Sequence, residues 1–190
     1  MPASLDRAAD PLALYRRHRH LICTMDLLQW RGEGPVAHAI RAATGEDVNH
    51  TSTVILFPSY FASRRFSIEA EFHSGLHIWP LSRILETYDG QVWWYPLRHE
   101  FYHKAPEAAC WLLERVGTPY DNRGCISHAR RILGREPEPA EASSLYCSES
   151  VFLAWRDGAM LHHLQRLPHA PVPGRQVHAL GLWGNPTRIR

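Results

Sequence analysis

The sequence predicts an α+β domain. Three observations lead there: runs of β-branched and aromatic residues crowd the first half, apolar residues at helical spacing fill much of the second, and turn residues punctuate the strand run. The chain has 190 residues, enough for one domain with a sizeable core. Hydrophobic residues make up 45% and charged residues 21%, a globular balance that excludes a disordered chain.

Residues 1–24 read as a leader with a short helix from about Asp10. Asp26–Trp30 is a short strand. Gly34-Pro35 opens a helix, Val36 to Thr44, that Gly45 closes, with Pro just inside the start and Gly just past the end. Thr51–Phe57 is β-branched and apolar, a strand stopped by Pro58. Arg65–Ala70 alternates polar and apolar residues. Gly75–Trp79 and Gln91–Pro96 complete the strands, with a helical turn over Pro80–Thr87 between them. Asp89-Gly90 and similar turn signals favour an antiparallel meander.

The second half turns helical. Ala105–Val116 carries Ala108, Trp111, Leu112 and Arg115 at helical spacing and ends at Gly117. Cys125–Leu133 is a second helix, ended by Gly134, and Arg135–Ser144 is a Pro/Glu loop. Cys147–Asp157 is a third helix with Val151, Ala154 and Trp155 on one face. From Pro168 the Pro-rich composition predicts an extended tail, wrapped on the domain or partly mobile. The expected organisation is a leader (1–24), a catalytic domain (25–167) and a tail (168–190).

The formal net charge of +2 gives no argument for nucleic acid, and the Arg-rich Tyr15–His20 stretch reads as a solvated helix face. Asp6, Arg7 and Asp10 fall where the apolar core of a signal peptide would lie, so a cytoplasmic protein is expected. No stretch approaches the roughly 20 apolar residues of a membrane span. Cys23, Cys110, Cys125 and Cys147 form no CxxC pair, against a zinc ribbon or a redox dithiol. Cys23 and Cys110 sit among apolar neighbours and read as small buried hydrophobes. His162-His163 and the Tyr15–His20 region have no recognisable ligand spacing, so no metal and no organic cofactor is expected.

Cys147 differs from the other cysteines. It stands in Ser143-Ser144-Leu145-Tyr146-Cys147-Ser148-Glu149-Ser150, at the start of a helix. There it faces unpaired backbone N–H groups and the positive end of the helix dipole, which favour a thiolate and can cradle an oxyanion. On context alone, a buried structural cysteine is the commoner case. A thiol nucleophile needs a base. Of thirteen histidines, His50 is best placed, at the mouth of an apolar strand. Glu69, near the end of the next strand, is a candidate to hold the imidazole, with Glu71 and His73 as rivals.

Six segments in one order resemble the circularly permuted NlpC/P60 (papain-like) families, close to the YiiX-like and lecithin:retinol acyltransferase-like enzymes. They are Met25-Asp26-Leu27-Leu28, Asn49-His50-Thr51, Ile68-Glu69-Ala70, Gly75-Leu76 with Pro80-Leu81, Gly117-Thr118-Pro119-Tyr120-Asp121, and Tyr146-Cys147-Ser148-Glu149-Ser150-Val151. The histidine precedes the cysteine, which is the permuted order. Three positions depart from the pattern: Asn49 replaces a small hydroxyl, Met25 a glycine and Ser150 a leucine.

The resemblance implies a papain-like α+β fold with the Cys147 helix packed on an antiparallel sheet carrying His50 and Glu69. It implies a cysteine hydrolase acting on an amide or ester, with Cys147, His50 and Glu69 as catalytic residues and no cofactor. Tyr120, Tyr146 and Ser148 are expected at the substrate groove, and Trp79, Trp93 and Trp94 are candidates for an apolar part of it. The substrate is then a peptide, isopeptide or acyl-amide, lipid-like compound. The alternatives are a catalytically silent module of the same fold and an acyltransferase. Oligomeric state is left open.

Overall fold

β-Branched and aromatic runs pair into one sheet in the computed structural model, which describes residues 10–61, 64–121, 145–167 and 169–190. The strands are β1 (Leu27–Gly32), β2 (His50–Ile55), β3 (Phe66–Glu71), β4 (Gly75–Pro80), β5 (Gly90–Tyr95) and β6 (Thr187–Arg188), in the spatial order β4-β3-β2-β1-β5-β6. Every pairing is antiparallel. The helices are α1 (Ala13–His18), α2 (Pro35–Thr44), α3 (Pro58–Phe61), α4 (Leu81–Thr87), α5 (Ala105–Leu113), α6 (Cys147–Leu153) and α7 (Gln176–Leu180). The fold is α+β, as the sequence predicts.

Both faces of the sheet are buried. Leu27, Ile55, Ile68, Ala70 and Leu76 pack beneath α5 and α6, while Leu28, Trp30, Val54, Val92 and Trp94 join α1 and α4 on the other face. The alternation of neighbours between two clusters is the period of two that strands impose. α2 begins with Pro35 and ends at Gly45, whose φ of 68° only a residue without a Cβ adopts freely.

Four expectations need correction. β1 to β4 form the meander, but β5 pairs with β1 rather than β4. The turn at Asp89-Gly90 reverses the chain without dictating which edge of the sheet it joins. α5 stops at Leu113, three residues early, where i→i+3 bonds tighten the turn into Gly117. α6 gives way to a π-helical turn over Ala154–Gly158, closed by Ala159 N–H donating to the Ala154 carbonyl at 2.9 Å. Cys23 and Cys110 are exposed, not buried: Ala108, Ala109 and Leu112 take the core side of α5. The expected helix over 125–133, the loop over 135–144 and the first nine residues of the leader lie outside the described residues.

The segment from residue 169 onward packs on the domain and is not merely extended. It contains α7, and β6 adds to β5 through Trp93↔Arg188 and Trp94↔Thr187. Trp183 is buried and donates its indole N–H to the Met25 carbonyl at 3.0 Å.

Candidate active site

His50 opens β2 and is held there by its neighbour. The Asn49 backbone N–H donates to the Trp30 carbonyl at 3.0 Å, and its side-chain Oδ1 accepts the Gly32 N–H at 2.8 Å. The asparagine in place of a small hydroxyl therefore fastens the strand entry to β1. The His50 ring lies 6.3 Å from that of Trp30, and Tyr88 meets Trp30 edge-on at 5.0 Å.

The imidazole lies between a carboxylate and a thiol. Nε2 is 2.7 Å from Glu69 Oε2, and Cys147 is near enough to act on the ring's protonation. Glu69, not Glu71 or His73, is thus the carboxylate on His50, and it is 3% exposed. Burial pulls the imidazole pKa down. The charge of Cys147, the hydrogen bond to it, and the bond and charge of Glu69 outweigh that and hold the pKa well above its ordinary value. Tyr88, half-buried and close to the Glu69 charge, is pushed far above the usual phenol range by desolvation and that charge and stays neutral.

Cys147 begins α6, which packs against β2 and β3. Tyr146 before it is extended, at φ −105° and ψ 169°, and no side chain caps the helix start. Ser150 Oγ donates to the Cys147 carbonyl at 2.8 Å and steadies the first turn. Cys147 is 8% exposed.

The approach to the nucleophile is set by backbone pairing. Leu145 N–H donates to the Pro119 carbonyl, and Asp121 N–H to that of Leu145, both at 3.1 Å. The Gly117–Asp121 loop is bonded in turn to β4: Leu76 N–H donates to Thr118 and Gly117 N–H to Leu76, both at 2.8 Å. Gly75 makes this approach possible, because a Cβ there would lie 2.2 Å from the Thr118 oxygen.

The flanking residues fall differently from expectation. Tyr146 is buried in the core and Ser148 is 1% exposed, its hydroxyl without a hydrogen-bond partner among the described residues. Tyr120 is half-buried, with its ring 6.0 Å from that of Phe72. Trp94 is a core residue bonded to Asp26, Trp93 is half-buried, and Trp79 is 54% exposed on the edge strand. Sequence reasoning passed over Trp30 and Tyr88, which box the His50 end. Their approach depends on a strand pairing and a helix position that no local signal encodes.

Asp26 supports the opposite end of β1, where the strand begins. Its carboxylate accepts N–H bonds from Cys23 at 2.7 Å, Trp94 Nε1 at 2.7 Å and Leu97 at 2.8 Å. Met25, beside it, has φ 65°, a conformation that glycine favours, and is fully buried.

No protein-family model and no curated protein matches the sequence. Among solved structures, the chain is similar to the metalloprotein YiiX from Escherichia coli O157:H7. The identity is 18% and the TM-score 0.55, over 74% of this chain and 68% of that one. The fold is YiiX-like. That likeness carries architecture alone: a six-stranded antiparallel sheet with helices on both faces, of the papain-like kind. Among the described residues no helix is long and apolar enough to cross a membrane.

Proposed function

We propose that the protein is a cysteine hydrolase of the permuted NlpC/P60 type, cleaving an amide or ester through a thioester. One observation carries the reading: His50 is hydrogen-bonded to Glu69 at 2.7 Å and has the Cys147 side chain beside it. The thiol hands its proton to His50, and the Cys147 sulfur attacks the substrate carbonyl carbon. Backbone N–H groups at the start of α6 face the developing oxyanion. As the intermediate collapses, His50 protonates the leaving nitrogen or oxygen, and the carbon–nitrogen or carbon–oxygen bond breaks. His50 then takes a proton from water, whose oxygen attacks the thioester. The carbon–sulfur bond breaks and the acid leaves. Glu69 keeps the ring in place and stabilises the imidazolium.

YiiX is called a metalloprotein; in this chain Glu69, Glu71 and His77 have the donor types for a cation, which would supply positive charge behind His50.

Thiol labelling tests the reading. The raised His50 pKa means that imidazolium persists above its usual range and is lost as pH rises through the raised value. At about pH 7 Cys147 is therefore expected to react with iodoacetamide about tenfold faster than Cys23 and Cys110, and to lose that lead in His50→Ala. Cys23 is the internal control: burial and the Asp26 charge raise its thiol pKa. A Cys147 that labels no faster than the two exposed thiols favours a silent module of this fold and sinks the proposal. Cys147→Ala should abolish turnover.

A further inference from the structure

The β3–β4 hairpin carries two donors, Glu71 and His77, that the hydrolytic steps do not use, beside Glu69, which they do. Glu69 and Glu71 are two residues apart on β3, so their side chains leave the same face. His77 on β4 pairs directly with Glu69, and cross-strand partners put their Cβ atoms about 5 Å apart. One ligand atom from each of the three lies within 4.8 Å of the others. The register is continuous from Phe66↔Pro80 to Glu71↔Gly75, so two neighbouring strands fix the spacing.

The hydrogen bonds of His77 set its tautomer. Nδ1 is 3.0 Å from the Gly75 carbonyl oxygen, which can only accept, so Nδ1 carries the hydrogen. In the neutral ring Nε2 then presents a lone pair, 3.7 Å from Glu71 Oε2. Metal-bound histidines are oriented in this way, with the second nitrogen donating to a carbonyl or carboxylate. Charge points the same way. Among the described residues, Glu69 pairs with His50 and Glu71 with His77, and neither meets a Lys or Arg. Two carboxylates and a lone pair converge, and the His50 imidazole occupies one oxygen of Glu69 alone.

We propose that Glu69, Glu71 and His77 bind one divalent transition-metal ion of the zinc class. One nitrogen and two carboxylates, with a position left for water, suit zinc; calcium asks for six or more oxygens. His50 engages Glu69 Oε2, leaving Oε1 for the ion. Glu71, whose side chain is 55% exposed, closes on an entering ion, while the Glu69 and His77 side chains, at 4% and 14%, wait in place. The site stands whether or not Cys147 turns over a substrate.

The test is calorimetric titration of the full chain with zinc chloride, paired with the absorption spectrum of the cobalt(II) form. One ion per chain is expected, with cobalt bands free of sulfur-to-metal charge transfer. His77→Ala and Glu71→Gln should each weaken binding about tenfold or more, and Cys147→Ala should leave it within about twofold. Glu71→Gln alters an exposed carboxylate, so it remains informative if His77→Ala does not fold. Absence of stoichiometric binding, or equal binding by Glu71→Gln, overturns the site. So does loss on Cys147→Ala with a sulfur band in the wild type, which would move the ion to the thiol and His50.

Discussion

Asp26 ties stability to pH in a direction opposite to that of most carboxylates. It is 1% exposed, and burial raises its pKa from 3.8 to about 6, even though three N–H bonds pull the other way. The folded state therefore holds the proton more tightly than the unfolded chain. This contribution to stability is fully present below pH 3.8 and is lost as pH rises through about 6. At about 1.36 kcal/mol per pKa unit, the carboxylate costs about 3 kcal/mol at neutral pH. Asp26→Asn removes the titration. It also turns an amide N–H₂ toward at least one of the three donors, a loss of about 1–3 kcal/mol at any pH. Urea unfolding of both proteins from about pH 4 to 7 isolates the effect, because other groups titrate alike in each. The stability of the wild type relative to the variant should fall by about 2 kcal/mol over that range. A difference that stays flat, or rises with pH, refutes the account and means that the three donors outweigh burial.

Gly75→Ala should destabilise the protein by more than about 2 kcal/mol, from a left-handed φ and a Cβ driven into the Thr118 carbonyl. It should also slow Cys147 alkylation, because the displaced loop carries the segment before the nucleophile; unchanged labelling in the folded variant would contradict that coupling. Met25→Gly relieves a strained φ of 65°, worth about 1 kcal/mol, but empties a fully buried site, at about 2–5 kcal/mol. Chemical denaturation should show a net loss, and a stabilised variant would mean that strain outweighs packing.

The α+β class, the ends of α2 and the first four strands were legible because each rests on a local signal: alternation, Pro35, Gly45, Pro58. The candidate site was legible for a different reason. Cys147, His50 and Glu69 were candidates from a helix start and two strand ends, with Glu71 and His73 as rivals to Glu69, and a resemblance of ordered segments favoured them; a hydrogen bond joins His50 to Glu69. The place of β5 was not legible, since sheet order depends on contacts remote in sequence. The C-terminal strand escaped because two residues carry no periodicity, and a Pro-rich composition hid the short α7. Cys23 and Cys110 misled because an apolar neighbourhood in sequence does not say which face of a helix or turn a residue takes. The Glu69, Glu71 and His77 set was within reach, as two residues at strand spacing and a third across the Gly75 turn.

Asp121 and Leu145, far apart in sequence, are bonded to each other, and Gly117 and Thr118 are bonded to Leu76. The residue two before the nucleophile is thereby fastened to the same hairpin that carries Glu69. Sulfur and carboxylate share one backbone frame, so a shift of β4 moves both together and leaves their separation unchanged.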